Sequence, residues 1–271
     1  MILRKKWTRE ELLVALNLYH KLPFGQLHAR NPVIMAFAEK LGRGASSLAM
    51  KLSNFASLDP ALKLRGIKGL SGASALDQRV WEEFHSDLNE AVPASEQAVC
   101  ELFGADESGE VEVLPREGVR VRLRPTGATE TVGTVKLRRG QGYFRDAVIN
   151  NCAGRCAMTG LGVRELLIAS HILPWGRHPE HRLDVRNGLS LSSIHDAAFD
   201  RGLISFDENL RLVLSPRLKG ELSQPLLAES FGVYSGEKLM FPDDAVLPNS
   251  EFLRAHRLEL FEQGRWRSQS T

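Results

Sequence analysis

Leu12, Leu13, Leu16 and Tyr19 recur at three- and four-residue intervals behind the string Thr8-Arg9-Glu10-Glu11. That spacing predicts an amphipathic helix, opened by a capping box in which Thr8 accepts from the first turn and Glu11 reaches back. Asn31-Pro32 announces a second helix, with Val33, Ile34, Phe37, Ala38 and Leu41 on one face and Gly42 as its stop. Ser46 or Ser47 opens a third, carrying Leu48, Leu52 and Phe55 inward and Lys51 outward. Three short helices with the tight turn Gly42-Arg43-Gly44 before the last form a helix-turn-helix unit. A further helix is expected over 76–92, with Leu76, Val80, Phe84 and Leu88 at helical spacing. Farther on, VEVLP, VRVRLRP and TVKLRR alternate apolar with polar positions, the period of half-buried strands.

Composition sets the class. The chain has 271 residues, 43% hydrophobic and 25% charged, with a net charge of +2, which excludes disorder, collagen-like repetition and a histone-like polycation. The length suits about two domains. ELLIAS (165–170) is far shorter than the roughly 20 residues a membrane-spanning helix needs, so no membrane is expected. MILRKKWTREE is not expected to act as a secretory signal, and three cysteines fit a reducing compartment, so the expected location is the cytoplasm.

Charge changes the picture further. Residues 1–72 hold 12 Lys/Arg against 4 Asp/Glu, and residues 73–110 hold 1 against 10. A basic module tethered by an acidic connector is a common layout for a nucleic-acid binder. Residues 1–92 are therefore expected to form a helical recognition module, 93–110 an acidic linker, and 111–271 a second domain with its core motif at 151–206. Arg120, Arg122 and Arg124 share a strand face, and Arg138 and Arg139 follow; a phosphate-tracking surface and ordinary solvation explain them equally.

The stretch 151–206 carries the chemistry. It holds an apolar strand ending at His171, a polar excursion, a second strand beginning at Asn187 and a short helix opened at His195. A single histidine after an apolar strand is usually a satisfied core residue, but His171, Asn187 and His195 together at two strand boundaries and a helix start weaken that account. This arrangement resembles the HNH nuclease motif, the ββα-metal fold. VKLRRGQGYFR (135–145), CAMTG (156–160), ASHILPW (169–175), NGLSLSSIHDAAFDRG (187–202) and PNSEFLRAHR (248–257) resemble strings of bacterial HNH proteins of restriction type. Trp7-Thr8-x-Glu10-Glu11 with LGRGASSLAMKLSNF is similar to the Myb-like helix-turn-helix module.

The resemblance implies an α+β chain: an all-α helix-turn-helix-like module, then a ββα-metal domain with a small β region and a C-terminal helix. It implies a metal-dependent DNA endonuclease of restriction or phage defence, with one divalent ion, Mg²⁺ or Mn²⁺. His171 would be the general base, Asn187 would orient the loop or the base, and His195 would hold the metal. Ser170 stands where many relatives carry a second ligand. The string FDRG points to Asp200 instead, although Phe199-Asp200 also suits a helix-end anchor. On a helix, Asp196 and Asp200 point about 100° and 140° away from His195. Cys152 and Cys156 lack a second pair, so no structural zinc is expected. The Myb-like likeness places Arg43, Ser46, Ser47 and Lys51 on phosphates or base edges. Double-stranded DNA is the expected partner, with a homodimer for cutting both strands. An inactive HNH-like DNA-binding regulator and a ribonuclease on the same fold are the competing readings.

Overall fold

The computed structural model describes residues 6–105, 109–122 and 132–261. The chain divides into two compact units, Met1–Asn151 and Cys152–Thr271. Each is α-helical with short antiparallel sheets, as an α+β chain requires.

In the first unit, α1 (Arg9–Lys21) opens with the capping box read from the sequence: Thr8 Oγ1 accepts from Glu11 N, and Glu11 accepts from Thr8 N. Asn31 caps α2 (Pro32–Lys40) through Val33 N and Ile34 N. Gly42, at φ +62°, ends it in the left-handed conformation that glycine adopts without cost, and α3 (Ala45–Leu58) follows. Leu12, Leu16, Ile34, Phe37, Leu48, Leu52 and Phe55 are fully buried, so the helical spacing identified the core correctly. A short α4 (Pro60–Leu64) leads into a loop, and α5 (Ala75–Ser86) carries Val80 and Phe84 into the same core.

The expected linker is corrected here. Residues 88–102 form α6 (Leu88–Leu102), which buries Val92, Ser95, Glu96, Val99 and Cys100. Glu96 is no solvated connector charge: it lies 2.7 Å from Nζ of buried Lys21 and accepts from Asn17. Asp146 sits 3.7 Å from the same ammonium and accepts from Val113 N. Buried charges persist only when paired and hydrogen-bonded, and this network ties α1 and α6 to the elements that follow. Those are the hairpin β1 (Glu110–Leu114) and β2 (Gly118–Arg122), in register Val111↔Val121 and Val113↔Val119, and the long helix α7 (Val132–Asn151). The strand expected at TVKLRR is therefore a helix. Its apolar payload, Phe144, Ala147 and Val148, lies C-terminal to the alternating stretch and has helical spacing.

In the second unit, β3 (Leu167–His171) pairs antiparallel with β4 (Gly188–Ser192), in register from Leu167↔Ser192 to His171↔Gly188. β4 passes directly into α8 (Ser193–Asp200). The hairpin β5 (Ile204–Phe206) and β6 (Leu212–Leu214), then α9 (Pro216–Gly220), α10 (Pro225–Ser230) and α11 (Ser250–His256), complete the unit. Gly202, at φ +64°, turns the chain after α8, and a Cβ there would lie 2.5 Å from the Leu260 carbonyl. Only glycine fits both the backbone and the approach. Among the described residues, no helix is long and apolar enough to cross a membrane.

Candidate active site

β3 ends at His171 because its register with β4 ends there, opposite Gly188. The segment that joins the strands is held by Asn187, which is wholly buried. Its Oδ1 accepts from Leu173 N at 2.8 Å, and its Nδ2 donates to the His181 carbonyl at 3.1 Å and the Leu173 carbonyl at 3.4 Å. The amide thus staples both ends of the excursion.

His171 Nε2 faces the Arg182 carbonyl at 2.9 Å. A carbonyl can only accept, so the proton resides on Nε2 and the lone pair on Nδ1. Burial lowers the pKa of His171 against the opposing pull of the Arg182 carbonyl and Asp196, which favours the neutral imidazole, the form able to accept a proton. A cavity of about 480 Å³ opens beside it, lined by Ser170, His171, Trp175 and Arg177 and, from the next helix, Asp196 and Asp200.

His195 does not line this cavity. It is buried, with Nδ1 2.6 Å from Ser192 Oγ and Nε2 2.9 Å from the Ser230 carbonyl, and its ring packs edge-on against Phe231. Both ring nitrogens are committed to protein partners, so His195 braces the helix and the expectation that it is a metal ligand is corrected. Asp196, weighed beside Asp200 in the sequence and set aside, lines the cavity with it. The signal was present in the sequence: Asp196 and Asp200 are four apart and so share a helix face, which measuring both against His195 concealed. Partial burial and the neighbouring Asp196 charge raise the pKa of Asp200 against the opposing pull of Arg201, the mark of two carboxylates crowded together. Among the described residues, no group of three or more His, Cys, Asp or Glu side chains is arranged to hold a metal. The chemistry of this pair nonetheless fits a hard divalent cation, which takes one or two carboxylates and completes its sphere with water and phosphate oxygens.

Cys156 is buried 4.0 Å from His195 Nδ1. Burial would raise its thiol, but hydrogen bonds with His195 and Thr159 outweigh it and hold the pKa at about 7. Burial pushes Cys152 up to about 12.

The DNA-contacting residues expected in the first unit are not brought together. Arg43 is paired with Glu11, and its guanidinium lies 3.9 Å from the centroid of Trp7; its side chain is 5% exposed. Lys51 Nζ holds both carboxylate oxygens of Asp77 at 2.8 and 2.7 Å, inside the fold. These two cations lock the N-terminal strap and α5 onto the helical core, which corrects their expected role on DNA. Ser46 and Ser47 are exposed at the start of α3. Arg120 and Arg122 pair with Glu112, and Arg124 lies outside the described residues, as does the side chain of Arg138. Arg139 donates to Gln97 on α6 at 3.1 Å.

Two antiparallel strands feed a helix here, with a histidine at the end of the first strand and two carboxylates on the helix lining one cavity, a ββα arrangement. Residues 156–207 match the family model described as HNH endonuclease. Comparison with curated proteins finds no match.

Proposed function

We propose that this protein is a DNA endonuclease that hydrolyses phosphodiester bonds with one divalent cation, Mg²⁺ or Mn²⁺. The observation that carries the reading is one cavity shared by His171, in its Nδ1-basic tautomer, and the Asp196–Asp200 pair. The family match at 156–207 supports it. A role in restriction or phage defence, a cytoplasmic location and a homodimer that cuts both strands rest on the sequence resemblance and belong to the proposal.

Asp196 and Asp200 would hold the cation from one face of α8. When bound, it supplies Lewis-acid stabilisation of the charge that builds on the phosphate and on the departing 3′ oxygen. His171 accepts the proton of the attacking water on Nδ1, and its Nε2–H stays on the Arg182 carbonyl throughout. Asn187 fixes the loop that carries this carbonyl's neighbours. Arg177, 3.5 Å from Glu259 but more than half exposed at the cavity wall, draws the substrate phosphate in.

In the first unit, the recognition role proposed for the helix-turn-helix passes to cations that remain in solvent. Lys63, Arg65 and Lys68 are exposed on α4 and the loop after it, and that loop is pinned where Leu70 N donates to the Ser53 carbonyl.

Plasmid DNA incubated with the purified protein tests the reading. Nicking or linearisation with Mg²⁺ or Mn²⁺ that EDTA abolishes is expected, with a loss of about 10²–10⁴ in rate for His171→Ala. Intact plasmid with every divalent ion tried would overturn it, and cleavage of structured RNA alone would favour a ribonuclease.

A further inference from the structure

We infer that Arg182 is a positioning residue that holds His171 in its Nδ1-basic tautomer by latching its own side chain onto Trp175. The consequence for catalysis rests on the nuclease reading, whereas the latch itself does not.

The contacts form a closed circuit. His171 Nε2–H donates to the Arg182 carbonyl at 2.9 Å. The Arg182 side chain turns back, and its Nε–H donates to the Trp175 carbonyl at 2.8 Å. Its guanidinium lies 5.1 Å from the Trp175 ring centroid, within the range of a cation–π contact. The Trp175 ring in turn meets the His171 ring edge to face, at 5.2 Å and 83°. Base, carbonyl, guanidinium and indole therefore fix one another, although His171 and Arg182 are separated by a loop.

The neighbouring arginines are committed differently. Arg177 pairs with Glu259 and Arg186 with Asp184, while Arg182 has no carboxylate partner among the described residues. Its contacts are a carbonyl and an aromatic face, which only a planar guanidinium with an in-line Nε–H satisfies together. Asn187 anchors the loop at Leu173 and His181, but His181 is one residue short of the carbonyl that His171 uses. The Arg182–Leu183 peptide lies in a turn closed where Asp184 N donates to the His181 carbonyl at 3.3 Å, and that bond leaves the direction of the Arg182 carbonyl for the Arg182 side chain to set. A rotation that removed the acceptor would release the Nε2 proton and let it move to Nδ1, so the ring would lose its basic nitrogen toward the cavity.

The test uses the full chain with ¹⁵N-labelled histidine at pH 8, where the ring is neutral. The His171 resonances should report the proton on Nε2 in the wild type and a mixture of tautomers in Arg182→Ala. Trp175→Phe, which keeps both carbonyl and ring, should resemble the wild type. In cleavage, Arg182→Ala should lower kcat by about 10- to 100-fold, with KM and DNA affinity little changed. Arg182→Lys should recover only part of that loss. Arg182→Ala combined with Trp175→Ala should be no worse than the poorer single variant, because both break one latch. An unchanged His171 tautomer in folded Arg182→Ala or Arg182→Lys overturns the inference, as does additivity in the double variant. Should the wild type cleave nothing, the nuclease reading fails and the tautomer measurement still decides the latch.

Discussion

His195 and Asp196 are adjacent in the chain and do different work because α8 turns about 100° between them. His195 faces inward, bridging Ser192 and the Ser230 carbonyl, whereas Asp196 faces the cavity with Asp200. Substitution separates the roles. Asp196→Asn and Asp200→Asn should each raise the Mg²⁺ concentration for half-maximal cleavage by about tenfold or more, since each removes a charged oxygen donor. His195→Ala should leave that concentration nearly unchanged and cost about 1–3 kcal/mol of stability, because buried Ser192 and the half-buried Ser230 carbonyl lose their partner. Metal titrations of cleavage and denaturant unfolding read the two effects, and a shifted Mg²⁺ requirement in a stable His195→Ala protein would return the ligand role to the imidazole. The strand-boundary positions of His171 and Asn187 were legible in the sequence, where β3 ends and β4 begins. Asp200 was picked out by the string FDRG, but its pairing with Asp196 was not, because an i, i+4 relation has to be measured between the right partners.

At the scale of elements, α11 braces α8 through His256. Its Nε2 donates to the Phe199 carbonyl at 3.1 Å, its Nδ1 faces Ser205 Oγ at 2.9 Å, and its ring stacks on Phe199 with centroids 3.8 Å apart. Burial lowers its pKa from 6.5 to about 4, against the opposing Phe199 carbonyl. In the unfolded chain the imidazole protonates below about 6.5, while in the fold it stays neutral down to about 4. The stabilisation is therefore complete above pH 6.5 and fades between 6.5 and 4, on the order of 3 kcal/mol in all. Unfolding free energies of the wild type and His256→Gln across that window should converge as pH falls. Parallel curves would show that His256 does not titrate differently in the two states. The late string PNSEFLRAHR was recognisable, but its partners lie more than 50 residues earlier, and no local pattern could name them. α6 was misread for a related reason. Its acidic surface resembles a linker until Glu96 is seen against Lys21, a pairing 75 residues apart. For α7, the alternation at 135–139 imitates a strand, and the deciding apolar residues follow it.

At the scale of the whole molecule, the basic balance of residues 1–72 has to be divided into charge that folds the first unit and charge that solvent and ligands can reach. Lys21, Arg43 and Lys51 belong to the first group, each held against carboxylates inside the fold. Lys63, Arg65 and Lys68 belong to the second. Net charge read along the chain merges the two, and so it lent support to the DNA contacts that the Myb-like likeness placed at Arg43 and Lys51. Removing a partner from a buried pair strands the other charge, so Arg43→Ala and Lys51→Ala should each cost about 3 kcal/mol or more. Neither should alter the salt dependence of DNA binding in the folded protein. Lys63→Ala, Arg65→Ala and Lys68→Ala should do the reverse. Stability should change little, and each lost phosphate contact should reduce the slope of log K against log salt by roughly one unit. Fluorescence anisotropy on a short duplex over a range of salt, paired with denaturant melts, distinguishes the groups. A full salt slope in the Lys63/Arg65/Lys68 triple variant would remove DNA from this surface and leave phosphate attraction to the arginines of the nuclease unit.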